Sequence, residues 1–274
     1  MKLDRRLTPA NARVAASALK GLVEAEAYVE GEAACIRAPL TDICRDPAGD
    51  RERQLLMGAR VVVYERVAGW AFIQAAADGY VGYVPEAALG SVVAPTHRVS
   101  ARQSHLYPEA SIKVREKAAL SFGAQVEVTG QEGDLCETPG GFIPVQHLVE
   151  IGTRTPRLDV ARLFLGTPYL WGGNSGAGID CSGLVQAALR AEGHDCPGDS
   201  DMQEDALGEA MALDAPVAPG DLFFWSGHVA MALDAENLIH ATGHFMSTVI
   251  EPLVPALVRI EAAGYPLRSR RRVG

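Results

Sequence analysis

The sequence contains no run of eighteen apolar residues, so no stretch of it reads as a membrane-spanning helix. Positive charge is scarce: 25 Lys and Arg stand against 34 Asp and Glu, for a net charge of -9, which excludes the basic face of a nucleic-acid binder. Cysteine is also sparse. The five present (Cys35, Cys44, Cys136, Cys181, Cys196) are odd in number and show neither C-x-x-C nor paired Cys/His spacing, so neither a disulfide framework nor a zinc site is indicated. No metal or cofactor is called for. Residues 1–21 lack the uninterrupted apolar core of a secretory signal, which sets a cytoplasmic location as the expectation. Aromatics make up 6% of the chain, yet 48% is hydrophobic and 22% charged, the balance of a globular protein, and 274 residues suggest two or three domains. Oligomeric state is not legible.

What the chain does contain is a stretch, residues 167–189, that delivers one cysteine from a glycine-rich loop into a helix. Tyr169 to Trp171 form a short aromatic segment, and four glycines between positions 172 and 178 are read as letting backbone approach a ligand. Asp180 stands at a helix N-cap position and the helix begins at Cys181, with Leu184, Val185, Ala188 and Leu189 at helical spacing. Free N–H groups of a first helical turn favour a thiolate, so Cys181 is the candidate nucleophile.

Before this stretch the chain is a series of brief β-prone runs with an internal repeat. Gly58-Ala-Arg-Val-Val-Val is echoed by Gly123-Ala-Gln-Val-Glu-Val, and Gly82-Tyr-Val-Pro by Gly141-Phe-Ile-Pro, each followed by a leucine (Leu89, Leu148). The layout predicts two tandem SH3-like barrels, residues 30–92 and 97–150, after an N-terminal segment 1–29 in which Thr8 and Pro9 start a helix that Gly21 stops. The first copy carries Trp70, Phe72, Tyr80 and Tyr83 where the second has Asp134, Cys136, Gly140 and Phe142. Phe72 is assigned to the barrel core, and Tyr80 and Tyr83 are the candidates to face a ligand.

From position 154 the composition shifts to helices followed by strands, an α+β arrangement over residues 154–274. A helix is expected from Leu158 to Leu165 and another from Pro252 to Ala263. The arginines at 268, 270, 271 and 272 read as a solvated tail. In Gly227-His-Val-Ala-Met-Ala-Leu, strand alternation puts His228, Ala230 and Ala232 on one face. With a three-residue hairpin loop at 233–235, Ala232 pairs with Glu236 and His228 falls opposite His240, close enough for one imidazole to bond the other. A loop of two or four residues would separate them onto opposite faces. The chemistry then reads as acyl transfer: Cys181 attacks a carbonyl, His228 holds and returns the proton, His240 orients His228, and backbone N–H groups at the helix start hold the oxyanion.

These motifs, Pro168-Tyr-Leu-Trp-Gly-Gly, Asp180-Cys-Ser-Gly, Pro219-Gly-Asp-Leu-Phe-Phe, Gly227-His-Val-Ala and Ile239-His-Ala, resemble the NlpC family of bacterial cell-wall cysteine peptidases. The two preceding SH3-like repeats are similar to those of its γ-D-glutamyl-L-diamino-acid endopeptidases. The resemblance implies a papain-like domain preceded by two all-β barrels, and Cys181, His228 and His240 as nucleophile, base and third member. It implies a murein-derived peptide substrate with a free N-terminal L-alanine, cut at the γ-D-Glu to L-diamino-acid bond during peptidoglycan recycling. It also assigns substrate contacts to Tyr169, Trp171, Asp180, Ser182 and Asp199, and in the first barrel to Tyr80 or Tyr83 and Asp50. The family has arginine where Gly198 stands here. Two other readings share the scaffold: an amidase or acyltransferase, which a free-amine pocket argues against, and a wall-peptide-binding protein with an inactive peptidase domain, which an intact Cys181, His228 and His240 argue against.

Overall fold

The computed structural model describes residues 3–274, which divide after Ile151 into two units. The first is built from strands and short 3₁₀ turns. At its start, where a helix was expected between Thr8 and Gly21, the chain instead forms Val14–Ala16, paired in parallel with Ala27–Val29, and a 3₁₀ turn Ser17–Leu19. The cause is local. Asn11 Oδ1 accepts from the backbone N–H groups of Arg13 and Val14, a side-chain turn that competes with helix, and the pairing that follows buries Ala15 and Ala16.

Residues 32–90 fold into one antiparallel seven-stranded sheet, in the spatial order Arg51–Leu56, Leu40–Cys44, Val81–Pro85, Trp70–Ala75, Arg60–Val67, Glu32–Ile36, Leu89–Gly90. Phe72, Val81 and Tyr83 form a small cluster on it. Residues 97–150 form three smaller sheets around Val99, Leu106, Leu120, Ala124, Val126, Cys136, Ile143 and Leu148. The sequence echoes have structural counterparts. Strands Val81–Pro85 and Gly141–Pro144 each end in a proline, pass through a 3₁₀ turn (Glu86–Ala88, Val145–His147) and re-enter a short strand at the leucine. Proline at that point ends the ladder because it has no N–H to donate. Gly58, at φ +82°, abuts the second copy so closely that a Cβ would sit 2.4 Å from the Gln125 carbonyl oxygen.

The second unit holds α1 (Arg157–Leu163), α2 (Cys181–Glu192), α3 (Ser200–Ala206) and α4 (Leu253–Ala262) with an antiparallel six-stranded sheet. The sheet order is Glu209–Met211, Ser269–Arg272, Leu222–Trp225, His228–Ala232, Asn237–Thr242, Ser247–Pro252. This is the α+β class that the chain order of helices then strands predicts. Helix α2 is buried along most of its length and lies against His228–Ala232 and Asn237–Thr242. It ends at Gly193, whose φ of +100° supplies the left-handed turn that only glycine adopts cheaply. On the sheet, Ala230 and Ala232 pack with Phe223, Trp225 and Leu238 against Leu253, Ala256 and Ile260 of α4.

Of the four arginines read as a solvated tail, Arg270, Arg271 and Arg272 lie in a strand inside this sheet, and Arg268 precedes it. Ser269–Arg272 lies between Glu209–Met211 and Leu222–Trp225. Arg270 and Asp221 are each 1% exposed and bonded at 3.0 Å, and Arg272 binds both oxygens of the same carboxylate. The buried Asp221 carboxylate thus supplies the counter-charge that the buried Arg270 guanidinium needs, while Arg272 reaches it from a partly exposed position.

Candidate active site

The site is assembled by the turn from the glycine loop into α2. Asp180 caps the helix: its Oδ1 accepts from Gly183 N at 2.6 Å and from Ser182 Oγ at 3.0 Å, while Oδ2 accepts from Gly172 N at 2.8 Å. One carboxylate therefore fixes both the first helical turn and the loop that leads to it. The glycines of that loop serve its own folding. A Cβ on Gly173 would meet the Gly178 and Leu170 carbonyl oxygens at 2.6 and 2.8 Å, one on Gly178 the Leu170 side chain at 2.7 Å, and one on Gly183 the Asn174 Oδ1 at 2.4 Å. Close packing within the loop is by itself enough to require glycine at 173 and 178.

Cys181 is 6% exposed, and its Sγ–H points to the Gly227 carbonyl at 4.0 Å. Burial pushes its thiol up to about 12, Asp180 adds to the rise, and backbone N–H groups of Val229, Ser182 and Cys181 itself oppose it. The N–H groups of the helix start favour the thiolate, as the sequence suggests, and burial works against them. His228 is pushed down to about 3 by burial, then by His240 and Arg259, so burial opposes charge on the imidazole as it does on the thiol.

The two histidines meet: His228 Nε2 lies 2.9 Å from His240 Nδ1, with the ring planes at 58°. The register that brings them together differs from expectation. Ala232 pairs with Leu238 and Met231 with Ile239, so the loop is residues 234–236, one position later than supposed. Asp234 sets it there, its Oδ1 accepting from the N–H groups of Glu236 and Asn237, both at 2.8 Å. A loop moved by one residue shifts the pairing by two, which preserves side-chain parity. The imidazoles are therefore diagonal rather than directly opposed neighbours, still on one face and within reach of each other.

Behind this pair stands a group that sequence reasoning missed. His240, 1% exposed, has its Nε2 3.2 Å from Glu251 Oε2, and Arg259 on α4 donates to both Glu251 oxygens at 2.9 and 2.7 Å. Burial pushes His240 down to about 4 despite Glu251, and Arg259 holds the Glu251 carboxyl below its usual range. Position 251 is on the strand paired with Asn237–Thr242, and a third hairpin strand ending Ile-Glu-Pro before an apolar helix was the available signal.

The remaining expected site residues are distributed as follows. Tyr169 is half-buried beside Gly243, and burial, Cys181 and Asp180 all raise its hydroxyl. Trp171 is 66% exposed, Ser182 is buried on Asp180, and Asp199 is half-buried at the residue preceding α3. In the first unit, Tyr83 packs against Phe72 with ring centroids 5.1 Å apart and planes tilted by 41° and accepts from Asn11 Nδ2 at 3.0 Å, Tyr80 is buried with the Arg53 guanidinium over its ring, and Asp50 is exposed before Arg51–Leu56.

Comparison with known proteins agrees with this geometry. Residues 166–253 match the model of the NlpC/P60 family, and residues 43–89 that of the bacterial dipeptidyl-peptidase SH3 domain. A γ-D-glutamyl-L-lysine dipeptidyl-peptidase of Bacillus cereus (strain ATCC 10987 / NRS 248) is 26% identical over 242 residues, 75% of this chain and 72% of that protein. Its namesake from Bacillus subtilis (strain 168) is 35% identical over 107 residues, 36% of this chain and 35% of its own length. The crystal structure of an NlpC/P60 family protein from Bacillus cereus ATCC 10987 superposes with a TM-score of 0.73 at 22% identity, over 88% of this chain and 99% of that one, a likeness of fold. The capped helix presenting Cys181 and the bonded histidine pair on the adjoining sheet both fall within residues 166–253, which form an NlpC/P60 cysteine-peptidase domain preceded by a bacterial SH3 domain at 43–89.

Proposed function

We propose that the chain is a peptidoglycan peptidase that hydrolyses the γ-D-Glu to L-diamino-acid bond of murein peptides with a free N-terminal L-alanine, using Cys181, His228 and His240. The observation that carries the proposal is the 2.9 Å bond between His228 and His240 on the hairpin that begins beside the Cys181 thiol. The names of the Bacillus cereus and Bacillus subtilis relatives support the choice of bond.

In this reading His228 Nδ1, the ring nitrogen not engaged by His240, takes the Sγ proton as the sulfur attacks the γ-carbonyl of D-glutamate. Backbone N–H groups at the start of α2 hold the oxyanion. The tetrahedral intermediate collapses to a thioester on Cys181, and the leaving amine of the diamino acid takes the proton from His228. Water then attacks the thioester, His228 accepts its proton and returns it to sulfur, and the released peptide ends in a carboxylate. Burial opposes charge on both thiol and imidazole, so the backbone N–H groups that meet the developing charge are what favour the charged pair during attack.

Asp199 is the carboxylate assigned to the substrate ammonium, with Tyr169, Trp171, Asp180 and Ser182 shaping the approach. Residues 30–92 and 97–150 are taken as two SH3-like modules, the first supported by the match at 43–89. Substrates already freed from glycan point to recycling, and five buried cysteines outside any disulfide suit the reducing cytoplasm. Among the described residues no helix is long and apolar enough to cross a membrane.

The test is hydrolysis of L-Ala-γ-D-Glu-L-Lys and its diaminopimelate counterpart, each with and without an N-acetyl cap, by the wild type and Cys181→Ala. Cleavage of the free peptides alone, abolished by Cys181→Ala, is the expected result. Equal cleavage of capped peptides would remove the free-amine requirement, and binding without cleavage by the wild type would leave a peptide-binding protein.

A further inference from the structure

A histidine base is useful only when the ring nitrogen facing its proton donor is bare, and two histidines bonded to each other can be protonated in two ways. If His228 Nε2 carries hydrogen and His240 Nδ1 accepts, His228 Nδ1 is bare. In the reverse arrangement His228 Nδ1 carries the proton and cannot accept another. The histidine pair by itself does not choose.

The group behind it does. Glu251 takes Arg259 Nε on Oε1 and both Arg259 Nη2 and His240 Nε2 on Oε2. A guanidinium has only protons to offer, so the carboxylate between Arg259 and His240 is an acceptor on both oxygens. His240 is 1% exposed and Glu251 9%, which leaves little room for water to substitute. His240 must therefore carry its hydrogen on Nε2. A neutral ring then has a lone pair on Nδ1, that lone pair takes the hydrogen on His228 Nε2, and His228 is left bare at Nδ1. Each bond removes one alternative from the next.

We propose that Glu251, fixed by Arg259, is a positioning residue that sets the tautomers of His240 and His228 and so leaves His228 Nδ1 as the proton acceptor for Cys181. The proposal rests on the reading of Cys181 and His228 as nucleophile and base. His228, Glu251 and Arg259 surround His240, with His244 acting on it from the loop that follows its strand.

Nitrogen-15 NMR of histidine-labelled wild-type protein at pH 7 reads the tautomers directly, with resonances assigned through His228→Gln and His240→Gln. Nε2–H on both rings is expected. In Glu251→Gln, Arg259 still demands an acceptor, so the amide oxygen turns to Arg259 and the amide nitrogen faces His240. The chain of bonds then reverses to Nδ1–H on both rings, and kcat falls about a hundredfold or more while KM stays within about twofold. Glu251→Asp, which keeps an acceptor, recovers part of kcat. A hydrogen on Nδ1 of either ring in the wild type, or wild-type kcat in folded Glu251→Gln, overturns the proposal, and the wild-type spectrum decides alone if the variant does not fold. Failure of the catalytic reading looks different: Cys181→Ala would retain cleavage while the wild-type tautomers were as described.

Discussion

His228 and His240 are held neutral near about 3 and 4, against an ordinary 6.5, because the fold buries them. Well above pH 6.5 both are neutral whether the chain is folded or not. As pH falls below that value the unfolded chain binds protons that the folded one refuses, so stability declines from about pH 6.5 down to about pH 4. For His240 alone the loss is on the order of 3 kcal/mol. Urea midpoints should fall between pH 7 and pH 4.5, and His240→Asn should flatten the fall. Asp180 carries a second consequence at this scale. Its charge raises the Cys181 thiol while its oxygens cap α2. Asp180→Asn should lower the pH at which iodoacetamide alkylates Cys181, and cost about 1 kcal/mol or more because the new amide nitrogen opposes the Gly172 N–H. Cys181, Asp180, His228 and His240 were legible because each carries a local signature: a cap, a helix start, a two-residue alternation. Glu251 was not. Its role depends on a carboxylate and an arginine eight positions apart being brought onto one imidazole by a strand and the following helix.

Among the elements, the hairpin between His228–Ala232 and Asn237–Thr242 shows what sequence can and cannot specify. Parity was legible from alternation, whereas the position of the loop was decided by the Asp234 side chain and lay one residue beyond expectation. Helix α2 was legible at its start, from the aspartate cap and the apolar spacing that follows, while its end at Gly193 is a finding of the structure. The N-terminal segment misled because Thr-Pro reads as a helix start, yet the Asn11 turn and pairing with Ala27–Val29 win over that weak local preference. Gly183 belongs to this scale as well: Gly183→Ala would press a methyl on the Asn174 amide oxygen and the Gly173 carbonyl, at a cost of about 1–3 kcal/mol measured by thermal unfolding.

For the molecule as a whole, the strand Ser269–Arg272 ties the last residues of the chain into the interior of the second unit's sheet. Arginine-rich termini are usually solvated, and nothing local in the sequence announces that Asp221, some fifty positions earlier, waits for two of them. Asp221→Ala leaves the buried Arg270 without its counter-charge and should cost about 3–5 kcal/mol, whereas Arg272→Ala, at a partly exposed partner, should cost far less. The fold class was readable because the two units differ in pattern, strand runs and repeats first and helices with a long hairpin after. The chemistry turns on one sulfur, and acid-quenching the protein during turnover of L-Ala-γ-D-Glu-L-Lys, then weighing its tryptic peptides, reads that sulfur out. The expected result is an added L-Ala-γ-D-Glu acyl group on the peptide containing Cys181, lost on incubation with hydroxylamine. Turnover with no acyl group on that peptide, together with undiminished hydrolysis by Cys181→Ala, would contradict it.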